Sequence, residues 1–342
     1  MYLIIAIEGK YARGKKTRMQ NSVLEARQLT KKFDDFLAVD HLNFSVMKNE
    51  IMGFLGPNGA GKTTTINMLT GLARPTSGSI FIGSVDYTAK IKKAQEMIGI
   101  VPDESNLYDE LDGFQNLCFC ASLYGIRKTE REFRAKHLLQ QFNLTEAGKK
   151  LYKSYSKGMK RKLTIAAGII HQPGILFLDE PTTGIDVASA RQIRSLIKNL
   201  NTSGTTIFMT THYIEEAERL CHRVAFIVKG QIIKIGTIRE LMEEAQKEKI
   251  IQFSFAGQVQ IEQLDRPFHR QFSRCHLTPV QESAIQVRTK MSYDLMPFMA
   301  FFDSLGIKVM EARIIKPSLE EVFVNITGIE RNIMNQEKEK RK

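Results

Sequence analysis

The stretch Ile51-Met52-Gly53-Phe54-Leu55-Gly56-Pro57-Asn58-Gly59-Ala60-Gly61-Lys62-Thr63-Thr64 decides the fold. Five strand-like apolar residues run into a loop that fits G-x-x-x-x-G-K-[ST], and a helical pattern over Lys62–Thr70 begins at once. Glycines let consecutive backbone N–H groups converge on phosphate oxygens without Cβ clashes, and the helix start adds its partial positive charge. Lys62 is long enough to reach β- and γ-phosphates, and Thr63 offers a hydroxyl to Mg²⁺. With a strand before it and a helix after it, a merely structural Gly-rich turn is a poor rival reading. The expectation is a nucleoside triphosphate site on Gly56, Pro57, Asn58, Gly59, Ala60, Gly61, Lys62, Thr63 and Thr64.

A second element is Ile175-Leu176-Phe177-Leu178-Asp179-Glu180. Four apolar strand residues ending in two acids put Asp179 at the tip of a strand, where it can hold Mg²⁺ through water. Glu180 points differently and can take a proton from an attacking water. Strands often finish in polar turns, so this run is weak alone and strong only beside the phosphate loop.

Outward from these two elements, short apolar runs alternate with helical patterns from Val23 to about Gly236. Ile51–Leu55, Ile98–Val101, Ile175–Leu178, Thr205–Met209 and Val224–Val228 read as strands; Lys62–Thr70, Val187–Leu200 and Tyr213–Cys221 read as helices. That is an α/β pattern with a mainly parallel sheet. Residues 109–154 break it with helical patterns at Phe114–Leu123 and Glu130–Phe142, as a helical insertion would. From about Glu243 the texture changes. Strands are expected at Ile250–Phe255, Ala284–Thr289 and Ile307–Ile315, with a helix between the last two. A final helix is expected from a Ser318/Glu321 capping box, the Leu319, Val322, Phe323, Ile326 stripe and closure at Gly328. The expected organisation is a leader over 1–22, an ATP-binding domain over 23–243, a small α+β domain over 244–329 and a basic tail over 330–342.

The chain has 342 residues, and 49 Lys and Arg against 37 Asp and Glu give a formal charge of +12. No apolar run approaches the roughly 18 to 20 residues of a membrane-spanning helix. Cys118, Cys120, Cys221 and Cys275 lack the number and spacing of a disulfide framework or zinc site, and read as buried thiols. In the leader the apolar Leu3–Ile7 precedes the basic Lys10, Arg13, Lys15, Lys16 and Arg18, the reverse of an export signal, so none is expected. The leader holds no motif, so it is expected to be dispensable, with an internal start at Met19 conceivable. The basic ends carry no interleaved aromatic residues and read as solvated tails, so no specific nucleic acid is expected as a partner.

Together these elements resemble the ATP-binding subunit of an ABC transporter. Tyr155-Ser156-Lys157-Gly158-Met159-Lys160 resembles the family signature, with Ser-Lys-Gly-Met in place of the commoner Ser-Gly-Gly-Gln. Thr183-Gly184-Ile185-Asp186 resembles the loop after the acidic pair. His212 in Thr210-Thr211-His212 resembles the switch histidine, and Phe33 the aromatic that stacks on adenine. Singly these have bland readings: a helix cap at Ser156, a helix start at His212, a core ring at Phe33. The resemblance implies a P-loop ATPase core of the ABC kind, with an antiparallel β subdomain, the helical insertion and a small α+β C-terminal domain.

It implies further that Lys62, Glu180 and His212 are catalytic, and that Mg²⁺ sits on Thr63 and Asp179. ATP would be closed over by Ser156, Gly158 and Met159 of a second ATP-binding subunit, a copy or homologue, because the chain has one phosphate loop and one signature. Asp103 in Ile100-Val101-Pro102-Asp103-Glu104 stands where the family usually has a Gln that touches Mg²⁺; it either binds the ion or caps the next turn. Leu107-Tyr108-Asp109-Glu110-Leu111, the signature variant and Lys316-Pro317-Ser318-Leu319-Glu320-Glu321-Val322-Phe323 resemble the ABC-2 exporter branch. The implied partner is a separate multi-spanning permease, with this chain peripheral on the cytoplasmic face of the cell membrane. The rival is an ABC ATPase working on the ribosome or DNA. Against it stand the lone ATP module and the lack of heptads or zinc-finger inserts; a guanine-reading Asn-Lys-x-Asp stretch is also missing, which disfavours a GTPase.

Overall fold

The protein is described from a computed structural model that covers residues 22–83, 85–87, 91–245, 249–289, 294–315 and 318–329. The leader as far as Asn21 and the tail 330–342 lie outside the described residues. The chain forms two compact units, with Ile238–Gly328 as the second. In the first, the order is β1 (Ser22–Phe33), β2 (Phe36–Met47), β3 (Ile51–Leu55), α1 (Lys62–Leu69), β4 (Ser77–Ile82), β5 (Val85–Asp86), α2 (Ile91–Gln95) and β6 (Ile98–Val101). Next come α3 (Gly113–Leu123), α4 (Lys128–Gln141), α5 (Lys157–Ile169), β7 (Ile175–Asp179), α6 (Val187–Thr202), β8 (Thr206–Thr211), α7 (Ile214–Leu220), β9 (Arg223–Val228) and β10 (Gln231–Thr237).

Six of these strands make a sheet in the order β10-β9-β3-β8-β7-β6, parallel except that β10 runs against β9. Every residue of β3, β7 and β8 is buried. Both faces of the sheet are covered, which is why these strands read as unbroken apolar runs rather than as alternation. Because they are parallel, their C-terminal ends share one edge: Leu55 is in register with Thr211 and Asp179 with Thr210. The residues that follow each strand, Gly56, Glu180 and His212, are therefore delivered side by side.

A second, antiparallel sheet runs β2-β1-β4-β5. It is joined to the first by Phe44, whose ring lies 4.8 Å from Phe54 and 5.9 Å from Phe208. Each such ring pair adds about 0.5–1.5 kcal/mol beyond its buried area. The insertion is a pair of helices, α3 and α4. Asp112 starts α3 with a full capping box, its side chain accepting from Gln115 N while Gln115 accepts from Asp112 N. The insertion is held to the core by Tyr124, stacked 3.6 Å from His171, and by Arg134, which donates to the Ile170 carbonyl at 3.0 Å.

The second unit contains α8 (Ile238–Ala245), β11 (Lys249–Phe255), α9 (Ile261–Gln271), β12 (Cys275–Gln281), β13 (Ala284–Thr289), α10 (Met296–Ser304), β14 (Val309–Ile315) and α11 (Leu319–Thr327). From β11 to β14 this is a β-α-β-β-α-β order, and the antiparallel sheet β12-β13-β11-β14 is the split βαβ arrangement. Its core is unusually aromatic: Phe253 and Phe255 of β11 meet Phe268 and Phe272 near α9, and Phe298, Phe301 and Phe302 of α10. Three elements of this unit went unread in the sequence, α8 and two that have a proline inside. Pro267 lies within α9, and Pro279 lies in β12, an edge strand with a free side where a missing N–H does no harm. The last helix has the expected caps: the Ser318 hydroxyl accepts from Glu321 N, and Gly328 ends it at φ +68°.

Candidate nucleotide site

Between β3 and α1 the loop turns so tightly that only glycine fits at its two ends. A Cβ on Gly56 would stand 2.1 Å from the Ile227 carbonyl oxygen, and one on Gly61 would stand 2.6 Å from that of Ala38. Gly61 also has φ +97°, left-handed backbone that side chains avoid. Lys62 opens α1 and is only 5% exposed. Its Nζ donates to the carbonyls of Gly56 at 2.9 Å and Pro57 at 3.0 Å, and lies 3.5 Å from Glu180 Oε1. A buried ammonium at the mouth of a glycine-rich loop that opens a helix suits a polyphosphate.

Across the sheet edge, the Asp179 carboxylate ends β7 and receives the hydroxyls of Thr210 and Thr63. Burial pushes Asp179 up from the usual carboxylate range, and the two hydroxyls together with Lys62 oppose it. A threonine hydroxyl and a carboxylate in contact form a hard oxygen pair. That pair fits Mg²⁺, which is held by one or two protein oxygens and completes its shell with phosphate and water.

Glu180 has left-handed backbone, φ +46°. Its N–H is doubly held, donating to the Thr210 carbonyl at 3.2 Å and the Thr210 hydroxyl at 3.1 Å. Its carboxylate sits between Lys62, His212 Nδ1 at 3.1 Å and the Thr183 hydroxyl, which donates at 2.9 Å. Burial alone would raise this carboxyl, but the His212 contact, Lys62 and Thr183 outweigh it and hold it down at about 2. His212 is itself buried at the end of β8. Lys62, Thr63, Asp179, Glu180 and His212, read from three separate stretches, thus converge on one edge.

Ser156 caps α5, its hydroxyl accepting from Met159 N at 3.3 Å. Gly158 in the first turn packs on α6: a Cβ there would meet Ser189 Oγ at 2.3 Å. Phe33 ends β1 opposite Phe36 and is 49% exposed, so it is a surface ring and not a core one. Lys31 lies over it, Nζ 4.8 Å from the ring centre, held there by the Arg74 carbonyl at 2.8 Å.

Residues 39–183 match the family model described as ABC transporter. The chain is 35% identical over 309 residues to the linearmycin resistance ATP-binding protein LnrL of Bacillus subtilis (strain 168), covering 90% of this chain and 98% of that one. It is 31% identical over 323 residues to the daunorubicin resistance ATP-binding protein DrrA3 of Streptomyces coeruleorubidus, covering 92% and 99%. Among solved structures, the dimeric structure of MJ0796, a bacterial ABC transporter cassette, matches with a TM-score of 0.59 and 25% identity. That match covers 63% of this chain and 99% of that one. The chain is an ABC transporter ATP-binding subunit. It binds ATP and hydrolyses it.

Beside the signature variant, Asp103 in this ABC subunit stands apart from the pattern expected of the family, and its surroundings were not legible in the sequence. Asp103 Oδ1 lies 3.3 Å from Arg161 of α5, whose guanidinium also donates to the carbonyls of Pro102 at 2.6 Å and Asp103 at 2.5 Å. Burial lowers the Arg161 guanidinium from its usual range, while Asp103 opposes it. Asp103 thus faces the signature helix, and the loop of residues 102–103 is fastened to it by a buried arginine. Nothing adjacent in sequence signals a contact that spans 58 positions. Among the described residues, no helix is long and apolar enough to cross a membrane.

Proposed function

We propose that this subunit powers an exporter of the ABC-2 type, working as one of two ATP-binding subunits against a separate multi-spanning permease on the cytoplasmic face of the membrane. The observation that carries this is the division of the site. Lys62, Asp179, Glu180 and His212 gather on one sheet edge, while Ser156 and Gly158 make their contacts with α5 and α6. A complete site then needs the signature of a second subunit facing this phosphate loop. The names of LnrL and DrrA3 support an antibiotic-like cargo.

In this reading Phe33 stacks on adenine and the loop from Gly56 to Thr64 cradles the phosphates. Thr63 and Asp179 hold Mg²⁺, which when bound offsets phosphate charge. Lys62 turns from the Gly56 and Pro57 carbonyls and from Glu180 toward the phosphates. That removes one of the charges holding the Glu180 carboxyl near 2, so Glu180 becomes a better base once substrate arrives. His212 keeps Glu180 in place while the carboxylate takes a proton from water. Loss of the bridging phosphate lets the two subunits part, and the permease follows.

The test is a pull-down of tagged Glu180→Gln protein from gently solubilised host membranes with ATP present, a substitution that holds the closed state. Recovery of a multi-spanning protein without ATP motifs is the expected result. Recovery of ribosomal subunits or DNA-bound factors, with no membrane protein, would overturn it.

A further inference from the structure

Glu216 is a buried carboxylate that the mechanism above leaves unused. It lies in the first turn of α7 and is 4% exposed. Each oxygen accepts one hydroxyl: Oε1 from Thr182 at 2.5 Å and Oε2 from Thr211 at 2.8 Å. Burial pushes Glu216 up from the usual carboxylate range, opposed first by these two hydroxyls and then by the charges of Arg194 and His212.

The identity of its partners is what gives Glu216 meaning. Thr182 comes two residues after Glu180, and Thr211 comes immediately before His212. Thr211 Oγ1 also accepts from Tyr213 N at 3.0 Å, so one hydroxyl grips the chain just past His212 as well. On the other flank, Thr210 donates to Asp179 and accepts from Glu180 N. The strand ends that carry Glu180 and His212 are therefore cross-tied twice, by Thr210 on one side and Glu216 on the other. Stability alone gives little reason for the second tie, since a buried carboxylate costs several kcal/mol that an apolar residue of similar size avoids. A carboxylate has what this place needs: two acceptors on one rigid plane, able to bridge two hydroxyl donors at once.

We propose that Glu216 is a positioning residue for ATP hydrolysis, tying Thr182 to Thr211 so that Glu180 is held against His212. This rests on the roles given above to Glu180 and His212. It extends to the Thr183–Asp186 loop, whose root at Thr182 is fixed by the same bond.

The experiment uses the full chain and compares Glu216→Leu, Glu216→Gln, Thr182→Val and Thr211→Val. Glu216→Leu is expected to lower kcat by about tenfold to a hundredfold, the scale of a misplacement near 1 Å, with KM for ATP within about twofold of the parent. Thr182→Val keeps its shape and lowers kcat in the same direction; combined with Glu216→Leu it adds little, because both cut one tie. Glu216→Gln stays within about threefold, since its amide can accept from one threonine and donate to the other. In nucleotide-free Glu216→Leu protein, hydrogen exchange at residues 182–186 speeds up while the parallel strands keep their protection.

An unchanged kcat in Thr182→Val and Glu216→Leu, or a KM rise without a kcat loss, overturns the proposal. So does a Glu216→Gln variant as slow as Glu216→Leu, which would assign the effect to charge. If Glu216→Leu does not fold, the isosteric Thr182→Val decides alone. A Glu180→Gln control separates the two readings: hydrolysis that persists there removes the base assignment, and this role with it.

Discussion

Asp103→Gln restores the residue the family usually carries, and the surroundings of Asp103 set how much that change can matter. The Asp103 side chain is 49% exposed, and its Oδ1 meets Arg161 at 3.3 Å. An ion pair so open to water is worth about 0.5 kcal/mol after screening, a factor of about two in any rate it controls. A glutamine in its place would still offer a carbonyl oxygen to the same guanidinium. The two stronger bonds from Arg161 go to backbone oxygens, which the substitution does not touch.

Glu180→Gln instead removes the carboxylate from between Lys62 and His212, and the loss of a general base costs about 10²- to 10⁴-fold. Steady-state phosphate release at saturating ATP should therefore place Asp103→Gln within about threefold of the parent and well above Glu180→Gln, with ATP affinity kept in both. An Asp103→Gln protein that binds ATP and is as inactive as Glu180→Gln would refute the reasoning. It would mean that the length or charge of residue 103 enters the chemistry itself.

Glu180, held at about 2 against an ordinary 4.5, contributes about 3 kcal/mol of folding stability above pH 4.5, and that contribution fades as the pH falls toward 2. Urea melts should show the stability gap between parent and Glu180→Gln narrowing by about 1–2 kcal/mol from about pH 6 to about pH 3.5; a gap that does not move with pH contradicts the ionised contact. Gly158→Ala drives a Cβ into Ser189, so it should cost about 1–3 kcal/mol in denaturant unfolding, and Ser189→Gly in the same chain should recover most of it. Phe33→Ala should raise KM for ATP by about tenfold with kcat nearly unchanged, and Phe33→Tyr should restore it, because one face of a base stacked on a ring is worth about 1–3 kcal/mol. Arg161→Met leaves the Pro102 and Asp103 carbonyls without their donor and should lower unfolding free energy by about 2–4 kcal/mol.

The parts of the site legible in the sequence are those written in consecutive residues. A phosphate loop works only if its glycines, lysine and hydroxyl follow one another, and an acidic pair must close a strand, so each leaves a local pattern. The residues that hold these parts in place leave none. Arg161 reaches back 58 positions and Glu216 reaches 34, and any arginine or glutamate on a helix looks the same from its neighbours. The fold divides the same way. β3, β7 and β8 announce themselves by being apolar throughout, whereas the pairing of β1 with β2 shifts register between Ala26 and Leu29 and again beyond, which blurs the alternation a half-covered strand would show.

Lys62 ties the strength of the proposed base to the phosphate loop. An ammonium this deeply buried has to be paired, and its partners include two loop carbonyls and the carboxylate proposed above as the base. With His212, which acts more strongly, Lys62 keeps Glu180 ionised and its affinity for a proton low, so the proposed base is present but weak. A triphosphate that drew the ammonium toward itself would remove the share held by Lys62 and leave that of His212 in place. Glu180, already fixed by Thr210 through its backbone in a strained left-handed turn, has no need to move. In the proposed mechanism the switch is a transfer of one positive charge within a rigid frame, and the proposed role of the two ties across the strand ends is to keep that frame from yielding when the charge leaves.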